Sequence, residues 1–233
     1  METGNFLIKR GSLAAFQAET ADNGYYAVII PGEVKAIGPE AFRNRNDLAA
    51  VTVPGTVEKV GKWAFGGCQY LTSAVLGEGV VSIGDYAFDF CERMESLVLP
   101  GTVTAIGKRA FEGCASLAAV TVPEGVTSIG EGTFFACKSL RQIALPRGLA
   151  AIGKAAFSFC GSLEAVEIPA GVEAIPTEAF AYCYQLKQIT IPATVTAIGK
   201  DAFCECRYLT IRGAAGSFAE SYAKKKKIPF ETI

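Results

Sequence analysis

The sequence predicts an α/β fold: a right-handed solenoid of about eight 23-residue coils, with a parallel sheet on its concave side and short helical turns on its convex side. Three columns spaced by 23 residues carry that prediction. Phenylalanine recurs at Phe42, Phe65, Phe88, Phe111, Phe134, Phe157, Phe180 and Phe203. Proline runs ahead of it at Pro31, Pro54, Pro100, Pro123, Pro146, Pro169 and Pro192, with Gly77 standing in once. Cysteine follows at Cys68, Cys91, Cys114, Cys137, Cys160, Cys183 and Cys206, with Arg45 in the first unit. Columns that stay in phase without insertion mark structural repeats, and units this small must stack to bury their apolar faces.

The elements follow in chain order. Residues 1–27 read as an N-terminal cap, in which Phe6 to Leu13 forms a hairpin turning at Gly11–Ser12. Such a cap hides the open end of a stack. Residues 28–211 hold the repeats. In the second, Val51-Thr52-Val53 alternates apolar and polar, the period of a strand buried on one face. Pro54 lacks an N–H and stops that strand. Val57 and Val60 turn inward, and Gly61, Ala64, Phe65, Cys68 and Leu71 have the spacing of a short helix or 3₁₀ turn. Parallel strands joined by crossovers are overwhelmingly right-handed, and stacking them about 4.8 Å apart gives a rod roughly 40 Å long. The glycine column (Gly38, Gly61, Gly84, Gly107, Gly130, Gly153, Gly199) admits Pro176, so it reads as the first position of a helical turn rather than a positive-φ site. Residues 212–233 form the C-terminal cap: Ser217 and Glu220 make a capping box for a helix running to about Lys226, followed by an extended Ile228-Pro229-Phe230.

Composition removes several function classes. Of 233 residues, 50% are hydrophobic and 19% charged, and 22 cations against 23 anions leave a net charge of −1. No global field is there to hold nucleic acid or an acidic membrane. Histidine is absent, which excludes Ser-His and Cys-His dyads and the commonest metal ligand. Mean hydropathy is +0.30, yet no run approaches the roughly 18 apolar residues that span a bilayer. Met1 to Arg10 shows no basic start followed by a long apolar core, so no signal peptide is expected.

The pattern V-x-I-P-x-x-V-x-x-I-G-x-x-A-F-x-x-C-x-x-L resembles the BspA-like leucine-rich repeats of bacterial and protist surface proteins. Val120 to Cys137 (VTVPEGVTSIGEGTFFAC) is a near-ideal copy, and Gly213 to Ala223 is similar to that family's usual last turn. Gly77 for Pro, Arg45 for Cys and Thr133 for Ala depart from it. The resemblance implies a curved solenoid that binds protein or acts as an adhesin, without catalysis, at the cell surface or secreted. With no leader visible, a cytoplasmic place stays open.

Candidate sites were weighed against plain structural roles. The cysteine column expects small buried thiols, without disulfides or zinc, because stacked Cβ atoms about 4.8 Å apart exceed the disulfide optimum. Cys204, off the column, is the expected reactive thiol. Lys62, Asp85, Lys108, Glu131, Lys154, Thr177 and Lys200 read as a surface ion ladder. Lys224 to Lys227 complement a helix dipole or recruit an acidic partner. Partner-binding candidates on the concave face are Thr52, Val75, Val98, Thr121, Gln142, Glu167, Gln188 and Thr190. On the helical side they are the aromatics Phe90, Phe135, Phe159, Tyr182 and Tyr184. The leading expectation is a non-catalytic protein-binding or adhesion module with no cofactor and no metal. A structural spacer or homo-oligomer assembling through its sides or ends is the alternative. An enzyme working by carboxylates alone would draw on Glu124, Glu167, Glu173 and Glu178, expected on solvent-facing slots without a pocket.

Overall fold

The computed structural model describes residues 5–17 and 25–233. The rest of the expected N-terminal cap, 1–4 and 18–24, lies outside the described residues. Within them the chain is a solenoid in which each coil contributes one edge to each of three faces.

Two faces are parallel sheets. The first stacks the longer strands: β3 (Tyr26–Ile29), β5 (Leu48–Val53), β7 (Ser73–Leu76), β9 (Ser96–Val98), β11 (Ala119–Thr121), β13 (Gln142–Ala144), β15 (Ala165–Glu167), β17 (Gln188–Thr190), β19 (Thr210–Gly213) and β20 (Phe230–Thr232). The second stacks two-residue strands: β4 (Ala36–Ile37), β6 (Lys59–Val60), β8 (Ser82–Ile83), β10 (Ala105–Ile106), β12 (Ser128–Ile129), β14 (Ala151–Ile152), β16 (Ala174–Ile175) and β18 (Ala197–Ile198). From β5 to β18 the paired strands stand one 23-residue repeat apart, as in Val51↔Ala74 and Ile129↔Ile152. Each strand keeps one side chain inward and its neighbours outward, so β11 reads exposed-buried-exposed at Ala119, Val120 and Thr121. The ladders are interrupted at the same two places: β9 does not pair with β11 nor β10 with β12, and β13 does not pair with β15 nor β14 with β16.

The third face differs from expectation. It is neither α nor 3₁₀ helix; among the described residues the helix is α1 (Phe218–Lys226). Instead the residues two before and two after each phenylalanine have positive φ, from Glu40 and Asn44 (+59° and +58°) to Asp201 and Glu205 (+55° and +62°). Every second residue of this turn points its N–H at the next coil, while the residues between close turns within their own coil, as Arg43 N–H does to Glu40 C=O (3.0 Å). Phe42 N–H therefore donates to Ala64 C=O in the next coil (2.7 Å), flanked by Glu40 to Lys62 (2.9 Å) and Asn44 to Gly66 (2.8 Å). The same triplet repeats to Phe180 and Ala202 (2.9 Å), with every donor in the preceding coil. Left-handed non-glycine residues cost about 1–2 kcal/mol each, and these three bonds per junction offset it.

Inside this turn ladder runs the core. Consecutive phenylalanine rings stack at 4.9–5.8 Å with interplanar angles of 5–17°; Phe111 and Phe134 are 5.5 Å apart. The cysteine column packs beside it as free thiols. Each Sγ donates to the phenylalanine carbonyl of the coil before: Cys68 to Phe42 (3.0 Å), Cys114 to Phe88 (3.2 Å), and so on to Cys206 and Phe180 (3.1 Å).

Both ends are closed. β1 (Asn5–Lys9) and β2 (Ser12–Gln17) form a hairpin turning at Arg10–Gly11, one residue before the sequence places it. β2 then joins the short-strand sheet (Leu13↔Ile37). Phe16 heads the ring file at 5.2 Å from Phe42, and Arg45, in the cysteine slot, reaches Phe16 C=O with its guanidinium (2.9 Å). The cationic departure thus performs the thiol's task for a hairpin partner. At the far end Ser217 Oγ accepts from Glu220 N–H (3.3 Å), Glu220 accepts from Gly216 N–H (2.6 Å), and Lys227 closes α1 in the left-handed conformation.

The glycine column answers to close approach, not to a helix start. A Cβ built at Gly107 would lie 2.4 Å from Asp85 N, and at Gly153 2.4 Å from Glu131 N. At Gly130 the nearest backbone atoms are 3.4 Å away. Gly107→Ala is therefore expected to destabilise by about 1–3 kcal/mol through overpacking, and Gly130→Ala by no more than about 1 kcal/mol. Equilibrium urea unfolding of the two variants side by side checks the contrast.

Candidate functional site

The outward residues of the long strands make one continuous face. Thr52, Val75 and Val98 stand in register on adjacent strands, with Val75 45% and Val98 52% exposed. Thr121, Gln142 and Glu167 are exposed, while Gln188 and Thr190 are half-buried. The N-terminal half of this face is uncharged and β-branched. The C-terminal half is polar: Glu167 pairs in register with Thr190, and Arg212 bonds Glu231 at 3.2 Å. With its amide oxygen turned to Arg212, Gln188 accepts two bonds of 2.9 Å.

On the C-terminal half the face deepens into a groove of about 830 Å³. Ala144, Glu167 and Thr190 form its floor, Pro169 and Pro192 one wall, and Ile143, Leu145 and Ile233 contribute apolar surface. The groove also takes in Glu124 and Glu167, which corrects the expectation that these carboxylates would have no pocket. Glu124 is engaged, its Oε2 accepting from Arg147 N–H at 3.2 Å. Of the eight residues expected on the concave face, Glu167 and Thr190 line the groove. No one residue type in the sequence marks the groove, because its lining comes from several successive coils.

The aromatic candidates fall in two places. Phe135 and Phe159 lie 5.3 Å apart, Phe159 stacks on Tyr182 at 4.3 Å, and Tyr184 meets Tyr182 edge-on at 6.2 Å. Phe90 is separate and lies over Gly113, whose added Cβ would be 2.9 Å from its ring. The sequence reading missed a third group: Trp63 stacks flat on Tyr86 at 4.4 Å, with the Arg43 guanidinium 4.7 Å above Trp63. Trp63 and Tyr86 are 23 residues apart, and that spacing was the available signal.

Charges pair diagonally. No ion pair among the described residues joins consecutive members of the expected ladder. Arg109 bridges Glu112 (2.9 Å) and Glu131 (3.6 Å), and Lys154 reaches Glu178 (3.9 Å). Asp85 is occupied by the backbone, accepting from Lys108 N–H at 2.9 Å. Lys224 to Lys226 occupy the last turn of α1, where they complement its dipole.

The thiols separate by environment. Burial pushes Cys68 and Cys160 up to about 12. Cys204, expected to be the reactive one, is also pushed up, by desolvation and by Asp201. Cys206 moves the other way, because the neighbouring Cys183 thiol favours its thiolate. Cys204 and Cys206 line a cavity of about 320 Å³ with Tyr222 and Lys226. No cluster of three or more metal-ligating side chains occurs among the described residues.

One carboxylate is out of balance. Asp89 is 4% exposed and its Oδ1 has no hydrogen-bond partner. Burial first, and Glu112 second, push its pKa up to about 7 against the opposing Arg109 and Arg43. The folded state thus holds a proton that the unfolded chain releases near pH 4. Stability falls as pH rises from about 4 to about 7 and stays lower above. Asp89→Asn is expected to raise Tm by about 5 °C at pH 8 and to leave it nearly unchanged at pH 4, as calorimetry at both values would register.

The comparisons with known proteins agree with this architecture. The family pattern described as BspA type Leucine rich repeat region matches six copies, over residues 22–124 and 104–219. A leucine rich cell surface protein from Faecalibacterium prausnitzii A2-165 is 26% identical with a TM-score of 0.61, over 89% of this chain and 74% of that one. A leucine rich repeat protein from T. pallidum has the same fold, with 22% identity and a TM-score of 0.61 over 98% and 94% of the two chains. Comparison with curated proteins yields no match. No helix among the described residues is long and apolar enough to cross a membrane. The chain belongs to the BspA-type leucine-rich-repeat family.

Proposed function

We propose that this chain is a non-catalytic binding module, a right-handed coil of eight repeats whose concave long-strand face receives an extended segment of a protein partner at a bacterial surface. The observation that carries the reading is the groove of about 830 Å³ continuing a flat, uncharged sheet. Its exposed β-branched row supplies apolar area without side-chain entropy to lose. Its polar end, with Glu167, Thr190 and Arg212, supplies the few directed groups that set orientation. Binding is favoured over hydrolysis by paired carboxylates because Glu124 already accepts from Arg147 N–H. The aromatic cluster is the weaker candidate, since Phe159 and Tyr182 spend their faces on each other. Surface display is drawn from the Faecalibacterium relative, a leucine rich cell surface protein.

Selection of a displayed random dodecapeptide library against the folded chain tests this. Ala144→Trp and Thr190→Trp, which fill the groove floor, are expected to weaken the enriched peptides at least about tenfold (~1.4 kcal/mol). Tyr182→Ala is expected to leave them within about twofold. Enriched peptides that ignore the groove substitutions and depend on Tyr182 would overturn the assignment.

A further inference from the structure

Where the coils are closed, the short-strand sheet continues through the glycine N–H. Gly107 donates to Ile83 C=O (2.8 Å), Gly153 to Ile129 (2.8 Å) and Gly199 to Ile175 (2.7 Å). The two interrupted junctions lack that bond, and each carries a wedge. Thr133 replaces the alanine of the other repeats, and its hydroxyl sits 3.1 Å from Gly130 O and 3.3 Å from Gly107 O, between the two coils. Gly130 stands off accordingly: its added Cβ would be 3.4 Å from Lys108, against 2.4 Å to the neighbouring coil at Gly107 and Gly153. At the second junction Pro176 fills the glycine slot. It has no N–H to offer Ile152 and brings a ring to a site where a bare Cβ at Gly199 would already be 2.4 Å from backbone.

The core records both openings. Ile106 and Ile152 are 8% and 7% exposed, against 2% or less for Ile83, Ile129 and Ile175. Leu97, Leu99, Ile143 and Leu145 are only partly buried, whereas the matching residues of the neighbouring coils are buried. One strand-entry bond, Glu164 N–H to Arg141 C=O (3.2 Å), still crosses the second junction. The turn ladder crosses both without loss. Arg109, Phe111 and Gly113 donate at 2.9, 2.9 and 2.8 Å, and Ala155, Phe157 and Phe159 at 3.1, 2.8 and 2.8 Å. Cys137 and Cys183 add thiol bonds of 3.2 Å each.

The geometry points to two built-in hinges, between Ile106 and Ile129 and between Ile152 and Ile175, where the solenoid bends by parting its sheets about the turn ladder as pivot. Three stiff blocks result. A continuous stack would resist bending through every sheet bond at once; here the sheet pairing is already missing at two places, so bending there costs apolar exposure and, at the second junction, the Glu164–Arg141 bond. The second hinge passes beneath the groove, with Ile143 and Leu145 on one side and Glu167 and Ile168 on the other. Its opening sets the groove's width, whether or not a peptide is what the groove receives.

Amide hydrogen exchange of the full chain, read by mass spectrometry, tests the hinges without a ligand. Segments 96–106 and 142–152 are expected to exchange at least about tenfold faster than segment 73–83, which lies within a block. Thr133→Ala should slow only the first and Pro176→Gly only the second, since each restores the residue of its column. Equal exchange of the three segments in the unmodified chain would overturn the proposal. So would a variant that leaves its own junction unchanged while its Tm shows it folded.

Discussion

The carbonyl of each phenylalanine in the file faces the next coil, and the stack closes because a cysteine thiol meets it there. That bond is weak on its own. Its value lies in the side chain that makes it: small, apolar, and still a donor. A valine in the slot would leave the carbonyl only the N–H of its own turn, as Cys91 N–H to Phe88 C=O (3.3 Å), and no bond to the next coil. The thiol, the ring stack and the three backbone bonds outside it act on the same narrow strip of every junction. The sheets are secondary, as their interruptions demonstrate.

Much of this was legible beforehand. The 23-residue columns foretold the ring file, the parallel register, the buried thiols and the capping box at Ser217 and Glu220. What escaped was backbone conformation. Glycine occupies only Gly67, Gly113 and Gly132 among the positive-φ positions flanking the phenylalanines; Trp63, Tyr86 and Phe159 occupy others. Spacing of Gly61, Ala64, Phe65 and Cys68 fits a helical turn and an alternating turn equally well, because both put those side chains on one side. The difference lies in where the N–H groups go, and side-chain patterns do not encode that. The glycine column misled for a related reason: its constraint is the backbone of another coil, distant in sequence.

The departures from the repeat proved more informative than the repeats. Arg45 breaks the cysteine column where the preceding element is a hairpin. Thr133 and Pro176 break two other columns at the two open junctions. Site residues were less accessible to sequence reasoning than the core was. Outward positions on the strands could be counted off by alternation, but the groove is lined from several coils, and the departure beneath it, Pro176, is not part of that lining. The turn-ladder side, by contrast, is occupied with itself: Arg43, Trp63 and Tyr86 form one stack, and Phe159 and Tyr182 another.

The turn ladder also has a direction. The N–H groups of its bonds point toward the C-terminal end and their C=O partners toward the N-terminal end, while the peptide units between them, whose phenylalanine carbonyls accept from the thiols of the next coil, point the other way. The charges at the two tips are paired as well: Arg43 with Glu40 and Arg45 with Asp47 at one, Lys200 with Asp201 and Arg207 with Glu205 at the other. The ladder therefore has a polarity in its bonds without making the solenoid a macrodipole, as a helix of the same length would be.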